Sequence, residues 1–130
     1  MAGLKNVLIV EDDASIRDLY RMALANNEYV VEVADSADEL YAKLEVFHPD
    51  CLFLDVMLPG TSGLEALKEL RTNPARGCMD AKIIVLTNLA QRSVADNAME
   101  NGADGFIIKA DVLPNDLPKI IESLEEDYAK

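Results

Sequence analysis

Five short apolar runs, each cut off by a polar residue and followed by a stretch of helical periodicity, constrain this chain more than any other feature. The runs are Asn6–Val10, Tyr29–Ala34, Cys51–Leu54, Lys82–Leu86 and Gly105–Ile108. Runs this short, bounded by turn residues and rich in Val and Ile, read as buried strands. After the first, Ile16, Leu19, Tyr20 and Ala23 recur at helical spacing up to Ala25, where Asn26-Asn27 breaks the pattern. Ser36-Ala37-Asp38-Glu39 and Ser62-Gly63-Leu64-Glu65 both place a serine cap three residues ahead of a glutamate, the capping-box pattern. Leu40, Leu44 and Phe47 mark the inner stripe behind the first of these, which His48-Pro49-Asp50 terminates; Leu64, Leu67 and Leu70 follow the second. Asn73-Pro74 and Gly77 mark a loop. A fourth helix, about Gln91 to Asn101, has only Val94, Ala95, Ala98 and Met99 as apolar content and is closed by Gly102. A fifth carries Leu117, Ile120, Ile121 and Leu124, with Pro118 tolerated in its first turn.

Strands alternating with helices predict an α/β fold with a parallel sheet covered on both faces. Right-handed crossovers leave few topologies, and the expected one is a flavodoxin-like doubly wound five-stranded sheet, order 2-1-3-4-5, with five helices. At 130 residues the chain is expected to form one domain, residues 1–130 with a core from about 4 to 124. Its net charge of -12 argues against direct nucleic-acid binding, which needs Lys and Arg to neutralise phosphates. Cys51 lies inside an apolar run and Cys78 in a loop, so no disulfide framework is expected. With no signal peptide ahead of them, the expected compartment is the cytoplasm. The run Val7–Val10 is far too short to cross a membrane.

The chemistry stands at the ends of the strands. The first run ends in Glu11-Asp12-Asp13, the third in Asp55, the fourth in Thr87 and the fifth in Lys109. In a parallel doubly wound sheet these ends open on one edge, and order 2-1-3-4-5 puts strands one and three together at the topological switch point. Glu11, Asp12 and Asp55 are therefore expected to converge. Carboxylates that close repel, and either a proton or a cation must offset the repulsion. Oxygen-only ligands suit Mg²⁺, whereas neither cysteine joins the cluster and His48 falls at the opposite end of the third strand, which speaks against zinc. Lys109 and Thr87 add a fixed cation and a hydroxyl, so an anion is the expected guest. Asp55 beside a metal and a lysine is suited to attack phosphorus. Asp13 is read as the cap of the first helix, Asp35 as a surface turn residue and His48 as turn chemistry.

These residues, in this order and spacing, resemble the receiver domains of two-component response regulators, from about Leu4 to Leu124. The resemblance rests on the acidic pair after the first strand, Asp55 ahead of Pro59-Gly60, Thr87, and Lys109 preceded by the aromatic Phe106. It implies a phosphoacceptor switch rather than an enzyme, in which Asp55 takes a phosphoryl group from a histidine kinase or phosphotransfer protein. It also implies Mg²⁺ bound by Asp12 and Asp55, by the backbone carbonyl of Met57, and by Glu11 through water. Thr87 and Phe106 would switch the face of helix four, strand five and helix five towards a downstream protein. With no output domain among these residues, output is expected through such a partner or through a homodimer; alternatively, the 130 residues are a fragment of a longer regulator.

Three positions depart from the family's commonest pattern. Ala110 follows Lys109 in place of proline, Asn88 stands where a small residue is usual after the threonine, and Phe106 has no phenol hydroxyl. Met57 and Leu89 flank the expected phosphoryl site with apolar side chains, which favours slow dephosphorylation. Two rival readings are a binding-only pseudo-receiver and a phosphatase of the haloacid dehalogenase type. The phosphatase requires a second acid two residues after the nucleophile, where this chain has Met57. A flavodoxin-like FMN carrier would want a hydroxyl-rich loop in place of Glu11-Asp12-Asp13.

Overall fold

A computed structural model of the protein describes residues 4–88 and 92–129, with side chains outside the description at 92 and 126–129. The strands are β1 (Asn6–Val10), β2 (Val30–Ala34), β3 (Cys51–Asp55), β4 (Lys82–Thr87) and β5 (Gly105–Ile108). They form one parallel sheet in the order β2-β1-β3-β4-β5. The helices are α1 (Ala14–Ala25), α2 (Ala37–Leu44), α3 (Gly63–Thr72), α4 (Arg92–Glu100) and α5 (Leu117–Ala129). The expected start of α4 at Gln91, and Leu89 ahead of it, lie outside the described residues.

Strand side chains alternate between faces, so a run apolar at every position must be buried on both. Val7 and Ile9 of β1, Cys51 and Phe53 of β3, and Ile84 and Leu86 of β4 pack with Tyr20 and Leu24 of α1 and Leu117 and Ile121 of α5. The alternate residues Leu8, Val10, Leu52, Leu54, Ile83 and Val85 pack with Leu40 of α2, Leu67 and Leu70 of α3, and Ala98 of α4. The thin apolar content of α4 thus covers one edge of the second layer.

The caps form as the sequence pattern requires. The Asp13 carboxylate accepts from the N–H groups of Ser15 and Ile16, Ser36 Oγ accepts from Glu39 N–H, and Ser62 Oγ accepts from Glu65 N–H. The return bond of the first box differs, because Glu39 accepts from Asp35 N–H instead of from the cap residue.

Leu19 is not an inner residue. It is 53% exposed, because Ile16, Tyr20 and Leu24 already point at the sheet and Leu19 is rotated off that line. Helix α2 stops at Leu44, and Phe47 packs against the core from beyond the helix. β2 begins at Val30, after a turn in which Glu28 adopts φ 71°. Single turns of 3-10 helix form at Pro74–Arg76, within the expected loop, and at Lys109–Asp111 and Pro114–Asp116, between β5 and α5. No cis peptide occurs among the described residues, Lys109–Ala110 included.

The start of α3 is pressed directly on the end of β3. A Cβ on Gly63 would lie 2.0 Å from the Asp55 carbonyl oxygen and 2.5 Å from Val56 Cα, and Gly63 N–H donates to Val56 O at 3.0 Å. This glycine serves close approach, not an unusual φ. Gly63→Ala is therefore expected to cost more than about 2 kcal/mol in urea unfolding, since backbone must move to admit the methyl group. The amide resonances of Asp55 and Val56 should shift with it; a variant with wild-type stability and unmoved resonances contradicts this packing.

Candidate functional site

Period two carries the alternation of the core past the ends of the strands. Glu11 continues the series Val7, Ile9; Asp55 continues Cys51, Phe53; and Lys109 follows Ile107 by two. All three thereby fall on the α1/α5 side of the sheet edge. Thr87 continues Ile83, Val85 on the other side, and Phe106 lies opposite Val85 on that same side.

The structure brings the acids together. Carboxylate oxygens of Glu11, Asp12 and Asp55 lie within 4.8 Å of one another. Glu11 and Asp55 are buried, at 0% and 1% exposure, while Asp12 is exposed. Lys109 reaches across both buried acids, with Nζ 2.7 Å from Asp55 Oδ2 and 2.5 Å from Glu11 Oε1. The other oxygen of each acid is held by backbone: Met57 N–H donates to Asp55 Oδ1 at 2.8 Å, and Asp13 N–H donates to Glu11 Oε2 at 3.1 Å.

Burial pushes the Glu11 carboxyl up to about 7, against the opposing pull of Lys109. Burial also works against the Lys109 ammonium, but its hydrogen bond to Asp55 and its ion pair with Glu11 outweigh it and hold its pKa above the ordinary lysine range.

Three carboxylates against one ammonium leave two negative charges when all are ionised. Glu11 Oε1 is buried and, although an ammonium stands beside it, makes no hydrogen bond of good geometry. Three converging carboxylates that one ammonium does not fully offset fit a hard divalent cation, and the cluster could hold one.

The remaining expected site residues take distinct places. Thr87 is buried at the end of β4 at 4% exposure. The Met57 side chain is 67% exposed, and Met57 enters the site through its backbone. Asn88 is exposed, Phe106 is 46% exposed and so is not a core residue, and His48 is exposed before β3. A groove of about 460 Å³ beside Asp55 is lined by Val56, Met57, Ser62, Leu64, Thr87, Asn88 and Val94.

Sequence reasoning missed Arg17, whose Nη1 donates to the Glu11 carbonyl at 3.0 Å, and Gly63. A glycine directly behind a serine cap was a readable signal for the second. Nothing in the helical pattern distinguishes Arg17 from a solvated arginine.

The family model described as response regulator receiver domain matches residues 7–122, and the chain belongs to that family. It superposes on a CheY-like response regulator receiver domain protein from Methanospirillum hungatei JF-1 with TM-score 0.83 and 32% identity, covering 96% of each chain. The transcriptional regulatory protein ResD of Bacillus subtilis is 35% identical over 103 residues, which is 79% of this chain and 41% of that protein. The chain spans less than half the length of the curated relatives it matches. A response regulator from Burkholderia pseudomallei, solved with a phosphorylated aspartic acid, a calcium ion and citrate, superposes with TM-score 0.73 and 28% identity, over 81% of this chain and 59% of that one. Among the described residues no helix is long and apolar enough to cross a membrane.

The raised pKa of Glu11 sets a pH dependence. Protonated in both states below about 4.5, Glu11 then costs folding nothing; above about 7 it is ionised in both, and its burial penalty is fully felt. Without divalent cations, lowering the pH from 7.5 to 5 should therefore stabilise wild type more than Glu11→Gln, by on the order of 2 kcal/mol. Urea unfolding in a chelator measures this, and equal pH slopes for the two proteins would contradict it.

Proposed function

We propose that the chain is a single receiver domain in which Asp55 accepts a phosphoryl group from the phosphohistidine of a histidine kinase or phosphotransfer protein. The observation that carries this reading is Lys109 bridging two buried carboxylates at the edge where β1, β3 and β5 end. Asp12, Asp55 and the Met57 carbonyl, with Glu11 through water, would hold Mg²⁺, which supplies charge stabilisation on the phosphoryl oxygens. The Met57 N–H bond on Asp55 Oδ1 leaves Oδ2, the oxygen facing Lys109, as the one turned towards a cationic partner.

An Asp55 oxygen forms the new P–O bond as the P–N bond to the donor ring breaks. The electron pair leaves on that nitrogen, releasing neutral imidazole from a donor protonated at its other nitrogen. Lys109 follows the negative charge on the equatorial oxygens, and Thr87 offers its hydroxyl to one of them. Both must be positioned rather than reactive, since phosphoryl transfer asks mainly for geometry and charge.

Thr87 and Phe106 lie on one face of neighbouring strands, two residues apart in register, which supports coupling between them. Movement of Thr87 towards the phosphoryl group would free space for the half-exposed Phe106 to turn inward. The face made by α4, β5 and α5 would then change for a downstream protein or a second copy of the chain. Members of this family are response regulators and generally not enzymes, and we read this chain as a cytoplasmic switch. The phosphatase reading is disfavoured by Met57, whose exposed thioether offers no proton two residues after Asp55.

Incubation with Mg²⁺ and a small phosphodonor such as acetyl phosphate should add the mass of one phosphoryl group to the intact protein. Asp55→Asn should remain unmodified, and Lys109→Met should be modified far more slowly. An unmodified wild type, or equal modification of Asp55→Asn, overturns the assignment and leaves the binding-only pseudo-receiver.

A further inference from the structure

The Glu11 carboxylate can serve a cation only if the backbone beneath it is held, and β1 ends one residue too early to hold it on both sides. Glu11 N–H still donates to Ala34 O of β2 at 3.0 Å. Its carbonyl is met by a side chain: Arg17 Nη1 donates to Glu11 O at 3.0 Å from the first turn of α1. Arg17 is itself fixed where it starts, because its N–H donates to Asp13 O at 2.9 Å in a turn capped by the Asp13 carboxylate. The Asp13 N–H in turn donates to Glu11 Oε2. Glu11, Asp13 and Arg17 thus close a small ring of contacts around Asp12, the exposed acid of the cluster.

We infer that Arg17 is a positioning residue for the cation site, acting through the Glu11 carbonyl to hold Glu11 and Asp12 where their carboxylates converge on Asp55. The inference rests on the proposed divalent site and goes beyond it by naming a residue outside the ligand set. A direct electrostatic role would act in the opposite sense. A guanidinium near a cation site repels the cation, so its removal would tighten binding; loss of a support loosens it. A single donor makes the contact, so a lysine reaching the same carbonyl can replace it, whereas methionine of similar length cannot.

Mn²⁺, followed by electron paramagnetic resonance as a stand-in for Mg²⁺, is titrated into wild type, Arg17→Met, Arg17→Lys and Asp12→Asn. Arg17→Met should bind roughly tenfold more weakly, with Arg17→Lys recovering most of the loss. In metal-free protein, hydrogen exchange at the Asp13 amide should speed up in Arg17→Met while amides of β3 and β4 keep their protection. Unchanged or tighter Mn²⁺ binding by Arg17→Met, with wild type binding in an Asp12-dependent way, overturns the role of Arg17 alone. Wild type that binds no Mn²⁺, or binds it equally after Asp12→Asn, overturns the cation site and this inference with it. Should Arg17→Met fail to fold, an Arg17→Lys affinity well below wild type with a wild-type Asp13 exchange rate would likewise exclude the positioning role.

Discussion

The bridge from Lys109 to Glu11 and Asp55 is the interaction on which the functional edge depends. Burying two carboxylates side by side is costly, both for the water they lose and for their mutual repulsion. One ammonium in contact with both offsets part of that cost, and the backbone N–H groups of Asp13 and Met57 satisfy the outer oxygens. The compensation is incomplete. Glu11 keeps a raised pKa, and with Asp12 and Asp55 ionised the cluster carries more negative charge than Lys109 alone offsets, so it could hold a further cation.

The surrounding structure explains how such a strained collection is held. Lys109 comes from the end of β5, two strands away from Asp55 across β4, so the sheet must be complete before the bridge can form. On the far side of Asp55, Gly63 brings α3 against the strand end with no room for a methyl group. At the opposite edge of the sheet, Arg71 of α3 donates to the carbonyls of Cys78 and Gly102 and to the Asp104 carboxylate, tying α3 to the entries of β4 and β5. The acidic edge thus rests on a scaffold braced at the other end, where the described residues form no acid cluster.

The two sides of the sheet have divided labour. Glu11, Asp55 and Lys109 follow the alternation towards α1 and α5, where Tyr20 lies buried beneath them and its hydroxyl is pushed up in pKa chiefly by burial. Thr87 and Phe106 follow the other alternation, towards α3 and α4. The charged groups Glu11, Asp55 and Lys109 thus face one side of the sheet, and Thr87 and Phe106 face the other.

Much of this was legible in the sequence because it depends on short periods. Short apolar runs bounded by turn residues, and helical spacing between them, identified five strands and five helices. Serine and aspartate caps marked where helices begin, and polar residues closing apolar runs marked the edge at which Glu11, Asp12, Asp55, Thr87 and Lys109 gather. What those patterns could not convey was contact at distance. The exposure of Leu19 and the early end of α2 depend on how neighbours fill space. The same holds for Arg17 on the Glu11 carbonyl and for Gly63 against the Asp55 backbone, since each joins residues whose meeting is decided by helix placement. By itself the sequence determined which residues stand at the reactive edge, because strand termini and alternation are local. Only the tertiary structure decided which carboxylate oxygens meet Lys109, which are held by backbone N–H groups and what holds each in place, because those depend on distances between elements.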